Sequence, residues 1–117
     1  MAKNILIVDD NPNMSMLLTE MLEIFDYNSV RCSNGEEALV ELEKQNFSMV
    51  ITDMRMPKMS GLELTQKVKE NNPNIPVVLI SGYSVINSGG EPELKPDGFL
   101  AKPFMMSDIE KLLNSLL

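Results

Sequence analysis

Short β-branched apolar runs recur along this chain, and most of them stop on a residue that carries a charge or a hydroxyl. Ile5-Leu6-Ile7-Val8 ends at Asp9 and Asp10, Phe47-Ser48-Met49-Val50-Ile51-Thr52 at Asp53, and Pro76-Val77-Val78-Leu79-Ile80 at Ser81 and Gly82. Residues 29–32 and Phe99-Leu100-Ala101 are two further short strands, the latter leading into Lys102 and Pro103. A continuous run of this kind suits a strand covered on both faces, as in a parallel sheet. Parallel neighbours need long crossover connections, and the stretches between the runs have helical spacing.

Asn11 reads as an N-cap with Pro12 at the first helical position, followed by Met14, Leu17, Leu18, Met21, Leu22 and Phe25 as one buried stripe. Methionine at core spacing is read as filler. Ser33-Asn34-Gly35-Glu36-Glu37 opens a second capped helix with Ala38, Leu39 and Leu42 inward. A third is expected over residues 61–71 with Leu62, Leu64 and Val68 inward, after a loop carrying Pro57. A last helix follows a capping box of Ser107 and Glu110, with Ile109, Leu112, Leu113 and Leu116 as its apolar face. Residues 83–98 break the rhythm. Gly89, Gly90, Pro92, Pro96 and Gly98 allow at most a turn or two near residues 84–87, so a helix there should be short or irregular. Strands alternating with helices imply an α/β fold, a parallel sheet with helices on both faces, and 117 residues leave room for one domain over residues 1–117.

Seventeen acidic against ten basic residues give a net charge of −7, which repels phosphate backbones and anionic lipid, so no direct nucleic-acid or membrane partner is expected. No apolar run approaches the ~20 residues of a membrane span. Met1, Ala2, Lys3 and Asn4 lead into only four apolar residues, unlike a signal peptide. Cys32 stands alone and cannot form an internal disulfide; it reads as a small core residue, and a cytoplasmic setting is expected. The chain has no histidine, which removes His-based metal sites, Ser/His/Asp triads and His general bases.

Ligands of such sheets sit at the carboxyl ends of the strands, where Asp9, Asp10, Asp53, Ser81 and Lys102 all fall. Three carboxylates there would repel one another unless a cation intervened, and oxygen-only ligands point to Mg2+. Lys102 offers a point charge and Ser81 a hydroxyl, both suited to phosphoryl oxygens. A carboxylate can act as the nucleophile that becomes an aspartyl-phosphate, and Asp53, alone at its strand end, is the candidate. An Asp after a strand is ordinarily a cap or turn former, but five such placements concur at the strand ends and together point to a site.

These residues, in the order Ile5-Leu6-Ile7-Val8-Asp9-Asp10, Asp53-Met54-Arg55-Met56-Pro57-Lys58-Met59-Ser60-Gly61, Ser81-Gly82 and Lys102-Pro103-Phe104, closely resemble the receiver domains of two-component response regulators. The resemblance runs over residues 3–116. It implies a flavodoxin-like (CheY-like) three-layer sandwich with a five-stranded sheet of order 2-1-3-4-5, in which Asp53 accepts a phosphoryl group from the phosphohistidine of a histidine kinase or histidine phosphotransfer domain. It implies direct Mg2+ ligation by Asp10, Asp53 and the backbone carbonyl of Arg55, with Asp9 acting largely through water. Ser81, Gly82 and Lys102 would hold the phosphoryl group, and a cis bond is expected at Pro103. Switching would couple Ser81 to Phe99, which lacks a tyrosine hydroxyl and must work by ring packing. Phe99 is also read as a core aromatic on its short strand. Arg55 and Tyr83 occupy positions that tune phosphoryl lifetime. Catalysis would be confined to self-phosphorylation from the phosphodonor and autodephosphorylation in a signalling module that changes its binding to a downstream protein.

The irregular stretch over residues 83–98 departs from the family pattern, whose fourth helix stands there and contributes to the output face. It reads either as a shortened loop or as a specialised partner surface. The chain could stand free or be a receiver within a hybrid histidine kinase or longer regulator. Of other classes, an Mg2+-dependent aspartyl-phosphate phosphatase would want an Asp-x-Asp motif, and Asp9-Asp10 has no intervening residue. A flavodoxin-like electron carrier would want a Ser/Thr-rich phosphate loop where Asp9-Asp10-Asn11-Pro12 stands.

Overall fold

The computed structural model of the chain describes residues 3–56, 58–81, 96–102 and 104–117, Ser81 by its backbone alone. In chain order the elements are β1 (Asn4–Val8), α1 (Pro12–Ile24), β2 (Asn28–Cys32), α2 (Gly35–Lys44), β3 (Met49–Asp53), α3 (Gly61–Asn71), β4 (Val77–Ser81), β5 (Gly98–Ala101) and α4 (Met106–Leu116). The strands form one parallel sheet of order β2-β1-β3-β4-β5. That is the order implied by the family resemblance.

Side chains alternate across a strand, so each apolar run feeds two cores. Ile5 and Ile7 of β1, Met49 and Ile51 of β3, and Val78 and Ile80 of β4 join Leu18 and Leu22 of α1 and Ile109 and Leu113 of α4. Leu6, Val8, Val50 and Val77 face the other way, onto Ala38 of α2 and Leu64 and Val68 of α3. The absence of polar alternation in the runs is thus the trace of a sheet with two covered faces.

Each of the first three helices starts on a side-chain cap. Asn11 Oδ1 accepts from the amides of Asn13 at 2.9 Å and Met14 at 3.4 Å, with Pro12 at the first position. Asn34 Oδ1 accepts from Glu37 N at 2.9 Å while Glu37 Oε1 accepts from Ser33 N at 2.8 Å. Ser60 Oγ accepts from Glu63 N at 3.2 Å.

Several expectations need correction. The Ser107 and Glu110 box does not form: α4 is capped from Met105, whose amide donates to Asp108 Oδ2 at 2.7 Å, and Ser107 lies exposed in the first turn. An acid three residues after the cap satisfies the box geometry two residues earlier. Leu17 is 42% exposed, because Leu18 and Leu22 centre the buried stripe and Leu17 falls to its side. Phe99 is likewise 42% exposed rather than core, since it faces away from buried Leu100 and no described helix covers it. The expectation of a short or irregular helix in residues 83–98 falls outside the described residues except at Pro96, Asp97 and Gly98, the last of which already belongs to β5.

Lys69 is buried at 9% exposure near the end of α3. Its ammonium donates to the carbonyls of Ile75 at 2.8 Å and Pro73 at 3.4 Å and pairs with the carboxylate of Asp97. Asp97 Oδ2 also accepts from Val77 N at 2.8 Å, and Asp97 N donates to Val77 O at 2.8 Å. This clasp joins α3 to the entries of β4 and β5. Removing one partner of a buried pair leaves the other uncompensated. Because Asp97 keeps 35% side-chain exposure, Lys69→Met should cost about 2 kcal/mol, between an exposed pair and a fully buried one. A urea midpoint equal to that of the unsubstituted chain would contradict this.

Candidate functional site

Backbone register brings the acidic residues together. Val8 of β1 lies opposite Thr52 of β3, so the next residues, Asp9 and Asp53, leave neighbouring strands side by side. Both continue the pleat of the α1 and α4 face, Asp9 after Ile5 and Ile7 and Asp53 after Met49 and Ile51. Asp9 N donates to Cys32 O at 3.0 Å, extending the ladder one step beyond β1.

Asp9 is buried, Asp53 is 9% exposed and Asp10 is exposed, and one carboxylate oxygen from each lies within 4.8 Å of the others. Asp9 Oδ1 accepts from Asn11 N at 2.8 Å, whereas its Oδ2 is buried without a hydrogen-bond partner among the described residues. Burial, opposed by the Asn11 hydrogen bond and by Lys102 and assisted by the charges of Asp53 and Asp10, raises the Asp9 pKa above 3.8. An orphaned buried carboxylate oxygen beside two more carboxylates is the environment a hard divalent cation relieves, so the residues fit Mg2+.

Asp53 Oδ1 accepts from Met54 N at 2.9 Å and faces Lys102 Nζ at 3.6 Å. Lys102 is the first residue after β5 and half-buried. Between the two strands that carry them runs β4: Ile80 is opposite Asp53, and Ser81 opposite Ala101, which places the Ser81 backbone between Asp53 and Lys102. Arg55 is exposed in the loop after Asp53. Gly82, Tyr83 and Pro103, with the cis bond expected there, lie outside the described residues.

Two features escaped the sequence reading. Gly61 begins α3 directly against the end of β3: a β-carbon there would collide with the carbonyl oxygen of Asp53, while Gly61 N donates to Met54 O at 2.9 Å. A glycine at a helix start signals a turn, but nothing local in sequence says which backbone it approaches. Beside Lys102, Met14, Leu17 and Phe104 line an apolar recess of about 330 Å³. The exposed edge of the α1 stripe forms one of its walls.

The chain belongs to the response regulator receiver domain family, whose family model matches residues 5–114. It is a receiver domain, a phosphoacceptor module of response regulators and sensor kinases. It is 31% identical over 116 residues to the response regulator receiver protein CpdR of Brucella abortus, covering 95% of this chain and 97% of that one. It is 32% identical over 121 residues to the autoinducer 1 sensor kinase/phosphatase LuxN of Vibrio campbellii, covering 99% of this chain but 14% of that one. The chain spans less than half the length of several of the relatives it matches, LuxN among them. The crystal structure of response regulator protein TrrA from Thermotoga maritima, in complex with Mg(2+)-BeF, superposes with a TM-score of 0.90 at 33% identity, over 98% of this chain and 99% of that one.

The crowding has a sign that can be measured. In the folded chain Asp9 takes its proton at higher pH than when unfolded, so its charge penalty is fully present above the raised value and is relieved as pH falls through it towards 3.8. Asp53→Asn removes one of the repelling charges. Without metal this variant should melt a few degrees above the unsubstituted chain at neutral pH, on the order of 1 kcal/mol, with the gap closing as pH falls through the Asp9 transition. An equal or lower melting temperature at neutral pH would show that the carboxylates do not strain the fold.

Proposed function

We propose that Asp53 accepts a phosphoryl group from a phosphohistidine of a histidine kinase or histidine phosphotransfer domain, in a reaction that needs Mg2+, and that the phosphorylated chain changes its binding to a downstream protein. The observation that carries this reading is the meeting of three carboxylates within 4.8 Å beside Lys102, at the carboxyl ends of the strands. Asp10, Asp53 and the Arg55 carbonyl would hold the ion directly and Asp9 largely through water. Bound Mg2+ supplies charge neutralisation for the incoming phosphoryl oxygens.

The transfer is a displacement at phosphorus. An Asp53 carboxylate oxygen attacks, the O–P bond forms and the N–P bond to the donor imidazole breaks, its electron pair returning to the leaving nitrogen. The Met54 amide and Lys102 hold Asp53 Oδ1, which orients the carboxylate. Lys102 would then pair with the phosphoryl oxygens, and Ser81 and Gly82 would complete their binding, from a strand end whose backbone already stands between Asp53 and Lys102. Phe99 would respond to the Ser81 movement, and Arg55 and Tyr83 would set how readily water reaches the phosphoryl group. The chain's own chemistry would be limited to its phosphorylation and dephosphorylation. Its net charge of −7 supports a protein partner over nucleic acid, and no described helix is long and apolar enough to cross a membrane. Cys32, buried and unpaired, with burial and then Glu41 and Glu37 pushing its thiol up to about 11, suits a cytoplasmic setting in which it is inert packing.

Incubation with Mg2+ and a small phosphodonor, read by intact mass, should add one phosphoryl group to the unsubstituted chain and none to Asp53→Asn. A label on both, or on neither when repeated with a phosphorylated histidine kinase, would refute the assignment. Mg2+ at ten times its dissociation constant should also stabilise the unsubstituted fold by roughly 1.4 kcal/mol, because the unfolded chain lacks the site; no shift in melting would argue against metal binding.

A further inference from the structure

We infer that Met59, seated over Gly35 at the start of α2, is a positioning residue for the acidic site, holding the loop that carries Arg55. The inference rests on the proposed role of the Arg55 carbonyl as a metal ligand. The loop between β3 and α3 is pinned at its ends: Met54 N donates to Ile80 O at 3.0 Å, and Met54 O accepts from Gly61 N at 2.9 Å. Between those ends Arg55 and Lys58 are exposed, while Met56 and Met59 turn inward and pack against the core under α2 and α3. Thr52 Oγ1 lies 3.7 Å from the Met56 sulfur, and Lys58 has a φ of 72°, a left-handed conformation uncommon for a residue with a side chain. The loop therefore holds an unfavourable backbone shape by side chains inserted on either side of its tip.

Gly35 shows how specific the second insertion is. A β-carbon there would lie 2.7 Å from Met59 Sδ and 3.2 Å from both Met59 Cβ and Cγ, so its three nearest neighbours all belong to this one side chain. Gly35 sits in ordinary helical conformation within α2, where glycine is a poor helix former and nothing in the backbone calls for it. The notch it leaves is filled by Met59. Its place is fixed in turn by the Asn34 and Glu37 cap. A contact on a separate helix thus sets the loop that begins one residue after the nucleophile.

Met59→Ala empties the notch and Gly35→Ala fills it, and either should release the loop without touching a carboxylate. Both variants should bind Mg2+ roughly tenfold more weakly by calorimetry, the lower range seen when an outer-shell support is lost. The double variant should be no weaker than the worse single one, since both changes break one contact. Met59→Leu, which keeps the volume, should bind nearly as the unsubstituted chain does. In metal-free protein, the amides of Met54, Arg55, Met56, Lys58, Met59 and Ser60 should exchange hydrogen faster in both alanine variants, with melting curves showing that the fold persists. Unchanged Mg2+ affinity in both would overturn the inference. If the unsubstituted chain binds no Mg2+, the metal-site reading fails by itself, and the exchange rates alone decide: faster exchange upholds Met59 as the support of the loop, and unchanged exchange overturns it.

Discussion

Like charges set side by side by backbone register are the constraint to which this end of the molecule answers. The pairing of Val8 with Thr52 leaves Asp9 and Asp53 no freedom to separate, because moving either strand by one residue would exchange its residues between the two packed cores. The two cores outweigh the repulsion and hold it in place. The groups that gather there follow from this: Lys102 beside Asp53, the Asn11 amide on Asp9, and the Met54 amide on Asp53. None of them reaches Asp9 Oδ2, and the cup is left favouring a cation.

Helix α3 ties that site to the opposite end of the sheet. Its first residue lies against the Asp53 carbonyl, with no room for a side chain, and its second-last turn ends on Lys69, clasped to Asp97 at the entry to β5. The helix is thus seated by a close backbone approach at one end and by a buried ion pair at the other. Such pairs are often worth less than an apolar replacement, and their best-attested use is to fix register. Here the clasp sets where β5 begins, and with it how far along the strand Lys102 emerges.

Most of this was legible in sequence because it rests on local pattern. Apolar runs without polar alternation gave away a two-sided sheet, and the residues that stop them, Asp9, Asp10, Asp53, Ser81 and Lys102, marked the strand ends where the structure gathers their backbones. Asn11-Pro12 and residues 61–71 announced helices that formed at those bounds. What stayed hidden depends on partners distant in the chain. Lys69 looks like any helix-surface lysine until Asp97 is placed beside it. Gly35 and Gly61 look like turn residues until Met59 and the Asp53 carbonyl fill the space above them. The exposure of Leu17 and Phe99 is set by which neighbouring elements cover them, and the cap of α4 by a choice between two acids two residues apart.

Under the proposed reading, charge arithmetic identifies the element with most leverage. Three carboxylates and one ammonium are balanced by a divalent ion, and conversion of Asp53 to its phosphorylated form adds about one further negative charge. Asp9 cannot move to meet it, being held at the end of β1 and by the Asn11 amide. Lys102 is the cation beside Asp53 among the described residues, and it follows directly on β5, the edge strand among those described. A pull on Lys102 therefore acts through Ala101 and Leu100 of that strand towards Phe99, which is already 42% exposed. A ring in that position can repack without breaching either core. The cost of switching is then confined to an edge strand and an exposed ring, while the paired strands that hold the carboxylates together stay as they are.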